Sequence, residues 1–324
     1  MVPGAAGGPK WLILKALDDF LFGDWFLRGT KPIDFVGASI GAWRFAAGAA
    51  GRTDLLGQLY KEQRYSERPD VQEITRGARA IVAALLADGA AEAIIGHPRF
   101  RLAILAVRSR GLLASEQRLL QGPGLLGVGL LNALSSRAAG LGFARHAVHH
   151  PDFETSLLDR TGWSAERSVL DGPALGPALL ASGSIPLVLE GVGIPGAPPG
   201  VYRDGGITDY HIPLPFRDAR DGIVFYPHFS STFKPGWFDK ALPWRRLDPL
   251  DLDRTFAVVP SAELVASLPG GKIPDRKDFA KLDYASRQRA WQAAVEASRS
   301  IADAFVGWLD RGTPVEDIEP FPEH

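Results

Sequence analysis

Apolar side chains along this chain recur with two different periods. From Trp11 they return at Leu14, Leu17 and Leu21, with Asp18 in the same stripe, the spacing of one face of a helix. Pro9 suits the first turn of that helix and Gly23 its exit. Residues 33–38 (IDFVGA) read instead as a short buried strand, and from Ile40 to Ala50 the helical spacing resumes. Residues 101–107 (RLAILAV), 222–226 (GIVFY) and 255–259 (TFAVV) read as further apolar strands. Helical stretches stand around 71–88 and 174–184. A last long helix is expected over about 284–311, with Trp291, Val295, Ile301, Phe305 and Leu309 on one stripe and Gly312 just beyond it.

Strands alternating with helices predict an α/β architecture with a mostly parallel sheet. There is no internal repeat and no low-complexity tract. The segment PGAPPG at 195–200 reads as a loop within a region, so the expectation is a single domain over 1–324, with 217–324 its C-terminal part. Composition narrows the function classes. Among 324 residues, 46% are hydrophobic and 23% charged, as in ordinary globular proteins. The net charge is −1, which gives no electrostatic case for nucleic acid as partner. Cysteine is absent, so disulfides, thiolate zinc sites and a cysteine nucleophile are excluded. No signal peptide or membrane-spanning run is apparent, and a cytoplasmic location is the expectation, with secretion by another route left open.

Three segments carry candidate chemistry. Gly37-Ala38-Ser39-Ile40-Gly41 has the pattern G-x-S-x-G, in which glycines on either side clear room for a serine on a tight strand-to-helix turn. The bare pattern is weak in a chain with 36 glycines; the strand before it and the helix after it favour a nucleophile over a packing turn. Ala6-Gly7-Gly8-Pro9-Lys10 precedes a helix, where backbone amides can approach developing negative charge. It does not meet the P-loop pattern, and an ordinary flexible tail competes with an oxyanion hole. Tyr202-Arg203-Asp204-Gly205-Gly206 is a short strand entering a turn. Asp-Gly is common hairpin chemistry, yet a carboxylate at a strand end can also take a serine's proton. Of the seven histidines, His146, His149 and His150 cluster without metal-ligand spacing. His211 and His228 follow Asp204 and keep open a triad with a histidine base.

Together these pieces resemble the patatin-like phospholipase family, through AGGPK at 6–10, GASIGA at 37–42, ASGSIP at 181–186 and DGG at 204–206, in the family's order. The resemblance covers about residues 4–216. It implies a three-layer α/β/α sandwich with a mainly parallel central sheet. It implies Ser39 as nucleophile and Asp204 as base in a two-residue dyad, Gly37 and Gly41 as the elbow glycines, and an oxyanion hole from the amides of Gly7, Gly8 and Lys10. The substrate would be a lipid or another acyl ester, with no cofactor and no metal. Two departures stand out: the chain starts almost at the glycine loop, so either the sheet lacks the strand that precedes the loop in the family or the true start lies upstream, and Trp11 replaces a common glycine. An inactive lipid-binding protein and an acyltransferase are the competing functions.

Two stretches raise a transient membrane contact. Residues 122–134 (GPGLLGVGLLNAL) are uncharged and apolar, and read equally as an interfacial helix, a lid or a buried helix. Residues 233–246 (FKPGWFDKALPWRR) mix Trp237, Phe238 and Trp244 with Lys234, Lys240, Arg245 and Arg246. That suits a headgroup surface, although such loops more often pack on their own domain.

Overall fold

The computed structural model describes residues 1–159, 165–216, 222–247 and 249–321. At its centre is β3 (Phe100–Ser109), whose near-continuous apolar run FRLAILAV suits a strand covered on both faces. On one side lies β2 (Ile33–Ala38), parallel to it, with β1 (Val2–Gly4) parallel to β2. On the other side β4 (Phe143–His149) runs antiparallel to β3, and β5 (Ala165–Val169) parallel to β4. A sixth strand, β6 (Tyr202–Asp204), pairs antiparallel with β3. β7 (Val224–Pro227) and β8 (Thr255–Val258) form a separate parallel pair, docked beside β1 by the Phe225 amide, which donates to the Met1 carbonyl at 3.0 Å.

The principal helices are α1 (Lys15–Gly23), α2 (Ile40–Ala49), α3 (Val71–Leu86), α4 (Arg118–Leu134), α5 (Gly172–Ser182) and α6 (Tyr284–Asp310). They flank both faces of the sheet. A side chain at Gly37 would point into α2, and Gly37 pairs with Ile104 in the parallel register, so Ile104 also faces α2. Val107, three residues on, faces the opposite side. There it joins Leu113, Phe143 and Val128 of α4 in a second apolar cluster. α5 is apolar on nearly every side because it is enclosed between the sheet and α3. Asp70, Asp171 and Asp283 cap α3, α5 and α6 by accepting the amides of Glu73, Ala174 and Ser286. The result is a mixed α/β fold with a mainly parallel central sheet, as the alternation of elements predicts.

Three expectations need correction. The strand ahead of the glycine loop is present: Val2, Pro3 and Gly4 pair with Phe35, Val36 and Gly37. It escapes notice because three residues are too few for a period. The first helix opens as a 3-10 helix, Gly8–Leu14, before α1 begins. Trp11, Leu12, Ile13 and Leu14 are all buried in succession, so no single face is selected there. Asp204-Gly205 is not a hairpin turn, because β6 pairs with the distant β3 and runs into a 3-10 turn, Gly205–Ile207.

Candidate active site

Topology brings the serine and the aspartate together. β2 ends with Ala38 opposite Leu105 of β3. β6 arrives from the other direction and ends with Asp204 opposite Ala106, the next residue of β3. The two strand ends therefore meet head to head along one edge of β3. Ser39 follows β2 directly, and its hydroxyl donates to Asp204 Oδ2 at 3.0 Å, across 165 positions of sequence. Both residues are buried.

The elbow has its own mechanics. Ser39 has φ 54° and ψ −128°, a left-handed conformation that costs a non-glycine residue on the order of 1–3 kcal/mol. Its glycine neighbours let the turn close. A Cβ on Gly37 would fall 2.5 Å from the Ala42 nitrogen, and one on Gly41 would fall 2.0 Å from the Gly4 carbonyl oxygen. Only without those carbons can α2 lie against β1 and β2 so closely.

Ser182, at the end of α5, holds the corner from a third direction. Its hydroxyl accepts the Ser39 amide at 2.8 Å and donates to the Leu105 carbonyl at 2.6 Å. Two residues on, the Ser184 carbonyl accepts the Asp204 amide at 3.0 Å. The ASGSIP segment thus fixes both members of the pair. The sequence marks that segment only by its place in a family pattern; its role becomes visible once α5 is seen to end beside the elbow.

Asp204 is further ordered by the Gly206 amide, which donates to Oδ1 at 2.7 Å. Burial pushes its carboxyl above the ordinary range, while the charge of Arg276, the Gly206 amide, the Ser39 hydroxyl and Lys240 pull in the opposite direction. The turn after it is anchored by Asp209. This residue pairs with Arg145 of β4, whose Nε donates at 2.9 Å, inside the core.

The glycine loop passes beside this turn. A Cβ on Gly206 would lie 2.6 Å from that of Ala6, and the Ala6 amide donates to the Tyr210 carbonyl at 2.9 Å. Among the described residues the amides of Gly7 and Gly8 have no acceptor. Gly8 takes φ +56° as the 3-10 helix begins. Lys10 sits within that helix, and its ammonium stands 5.0 Å from the Phe229 ring and 6.0 Å from the Tyr210 ring. Lys240 is exposed along its length, but its ammonium reaches back over Tyr210, 4.5 Å from the ring centroid. Arg276 packs its Cγ 3.1 Å from the position of a Gly8 Cβ. None of these three cations has an ion pair among the described residues. Partial withdrawal from water, then the charges of Lys10 and Arg276, push Lys240 down to about 8. Lys10 is lowered chiefly by burial.

The histidines are arranged otherwise. His211 and His228 are buried side by side, with ring centroids 4.3 Å apart. Nδ1 of His211 accepts the Lys234 amide at 2.9 Å, and Nδ1 of His228 lies 2.5 Å from the Ser230 carbonyl and 3.0 Å from its amide. Neither bonds to Ser39 or Asp204. Burial lowers both, His228 to about 3, so both rings are uncharged near neutrality. His146 lies on β4 with Nε2 2.9 Å from the Ser168 hydroxyl; burial pushes it down to about 4. No group of three potential metal ligands occurs among the described residues.

No family model matches the chain, and no curated protein matches it. Among solved structures, the type III effector protein ExoU matches at 12% identity with a TM-score of 0.28, over 93% of this chain and 53% of that one. The chain therefore spans about half of the effector's length. A likeness of that degree bears no weight on function.

Proposed function

We propose that this chain is a serine acyl hydrolase of the patatin-like kind, cleaving lipid esters through an acyl group carried on Ser39, with Asp204 as base. The single observation that carries the reading is the Ser39 hydroxyl donating to Asp204 Oδ2 at 3.0 Å from a left-handed strand-to-helix elbow. Serine at its free pKa is a poor nucleophile and needs an adjacent base. A carboxylate raised by burial is a better proton acceptor near neutrality than an ordinary one.

In this reading Ser39 Oγ attacks the ester carbonyl as its proton passes to Asp204 Oδ2. The amides of Gly7 and Gly8, free of protein acceptors among the described residues, meet the negative charge that develops on the carbonyl oxygen. Collapse releases the alcohol, which takes the proton from Asp204. Water then attacks the acyl-Ser39 ester, giving up a proton to Asp204, and collapse of that second intermediate returns a proton to Ser39. Lys10, Lys240 and Arg276 add positive charge beside the pair, which favours an ester carrying a phosphate or another anionic group close to the scissile bond.

Hydrolysis of a p-nitrophenyl ester series tests the proposal. Ser39→Ala and Asp204→Asn are each expected to lose about 10³-fold or more in kcat while remaining folded. His211→Ala and His228→Ala are expected to retain the chemistry in whatever fraction folds. Undiminished turnover by Ser39→Ala ends the proposal.

A further inference from the structure

α4 presents an anomaly. Between Arg118 and Arg137 the chain has no charged side chain, yet the outer face of this helix is open to water. Leu119 is 88% exposed, Leu126 66%, Leu130 63% and Leu134 85%. The spacings 126, 130 and 134 place the last three along one stripe. The inner side is fully engaged, with Val128 buried against Leu113 and Phe143. Eight of the sixteen large apolar side chains exposed among the described residues lie between Leu112 and Leu141. Isolated exposed leucines need no explanation, but a contiguous set does.

The second stretch packs against the same helix. Phe238 lies 3.3 Å from the position of a Gly129 Cβ. Asn132 of α4 donates to Asp239 Oδ1 at 2.8 Å, and Arg245 donates to the Asn132 carbonyl at 2.9 Å. Lys234 stiffens the loop by donating to the carbonyls of Leu242 and Arg245. With the loop so held against α4, Trp237 and Trp244 stay exposed, as does Arg246. The one acid of residues 232–247, Asp239, is buried beneath them.

The geometry points to this face, formed by the outer side of α4 and the Trp237–Arg246 loop, as a docking surface for a bilayer containing anionic lipid. Uncharged leucines enter the acyl boundary, the two tryptophans sit at headgroup level, and Arg118, Arg137 and Arg246 meet anionic headgroups. No helix among the described residues is long and apolar enough to cross a membrane, so α4 lies along the surface. A protein partner is less well matched, because a stripe of leucine along one helix offers little to fix orientation. The loop also carries Lys240, whose ammonium stands over Tyr210 beside Asp204, so docking brings the bilayer next to the proposed acyl-transfer site. The purpose of this surface rests on the acyl hydrolase reading; the residues that form it do not.

Binding of the Ser39→Ala protein to vesicles separates the two. Sedimentation with phosphatidylcholine vesicles containing phosphatidylserine is expected to carry the protein down, more weakly in high salt and with phosphatidylcholine alone. Leu126→Ser/Leu130→Ser/Leu134→Ser is expected to cut that binding by at least about tenfold, with p-nitrophenyl ester turnover in the wild-type background unchanged. Intrinsic tryptophan fluorescence should shift blue on vesicle addition and lose part of the shift in Trp244→Phe. Vesicle binding without ester turnover would retain this surface and remove the hydrolase reading. Absence of binding, equal binding by the triple variant, or a leucine-dependent dimer that ignores vesicles would overturn it.

Discussion

The Ser39 corner and the α4 face use apolar chemistry in opposite ways. At the corner, backbone and side chains are tied on several sides. The elbow is closed by the missing side chains of Gly37 and Gly41, the Ser39 amide is taken by Ser182, and the Asp204 amide by Ser184. On α4, four leucines touch little and could change without disturbing the core. Strain and enclosure at the first place, slack at the second, are what the proposed acyl-transfer site and the proposed docking surface would each require. The comparison teaches that exposure of apolar groups and burial of polar ones are the two departures from ordinary burial rules, and this molecule makes both of them within reach of one loop, residues 233–246.

The largest effect should come from closing the space at the elbow. Gly41→Ala places a Cβ 2.0 Å from the Gly4 carbonyl oxygen, and both partners are backbone, so α2 must move away from β1. Overpacking of that kind costs about 1–3 kcal/mol, against about 1 kcal/mol of helix propensity that alanine returns. Displacing Ser39 from its partner by about an ångström is worth about a 10²-fold loss of kcat. Thermal melts and ester kinetics on Gly41→Ala, beside Leu130→Ala on the outer face, make the comparison direct. Leu130→Ala should change stability by no more than about 0.5 kcal/mol. If both variants melt together, the contrast between the regions is not real.

Ser182→Ala sharpens the same contrast by removing one hydroxyl. It leaves the Ser39 amide and the Leu105 carbonyl without that partner in a buried place, at a cost of about 1–3 kcal/mol. As a positioning residue, Ser182 should act on kcat, by roughly 10–100-fold, and little on KM. A stability loss with kcat intact would make it a packing residue only.

Much of the corner was legible in the sequence because it is written locally. G-x-S-x-G needs five adjacent residues, and strand and helix flank it as β2 (Ile33–Ala38) and α2 (Ile40–Ala49). Asp204 was legible as a strand end, though its turn reads equally as a hairpin until β6 is seen pairing with β3. β4 was missed because Arg145 and His146 interrupt its apolar pattern. Arg145 is buried against Asp209, a partner 64 positions away, and no local period announces such a pair. The α4 face shows the limit most clearly. The run 122–134 has the composition of a core helix and of an interfacial one alike. What separates them is which neighbours arrive, and Phe238, Asp239 and Arg245 come from more than a hundred residues later in the chain.

The smallest expected effect tests whether the corner is organised for chemistry at the expense of stability. Burial holds the Asp204 carboxyl above its ordinary range, so the folded protein favours the protonated form more than the unfolded chain does. Below the ordinary carboxylate range both states are protonated and the residue costs nothing. As pH rises through the unfolded value, the unfolded chain releases its proton first and gains relative stability. The cost is complete once pH passes the raised folded value. Asp204→Asn keeps an oxygen for the Gly206 amide and removes the charge. It should therefore melt above the wild type at neutral pH, by roughly 0.5–2 kcal/mol, the range typical when an active-site strain is relieved. The advantage should shrink toward nothing in acid. Melting curves of the two proteins from pH 3 to pH 8 check the sign as well as the size. A difference that stays flat across that range would mean folding leaves the Asp204 proton affinity unshifted, and one that grows as pH falls would mean Asp204 is stabilised as a carboxylate; in either case the corner would be an ordinary hydrogen-bonded turn without a tuned base.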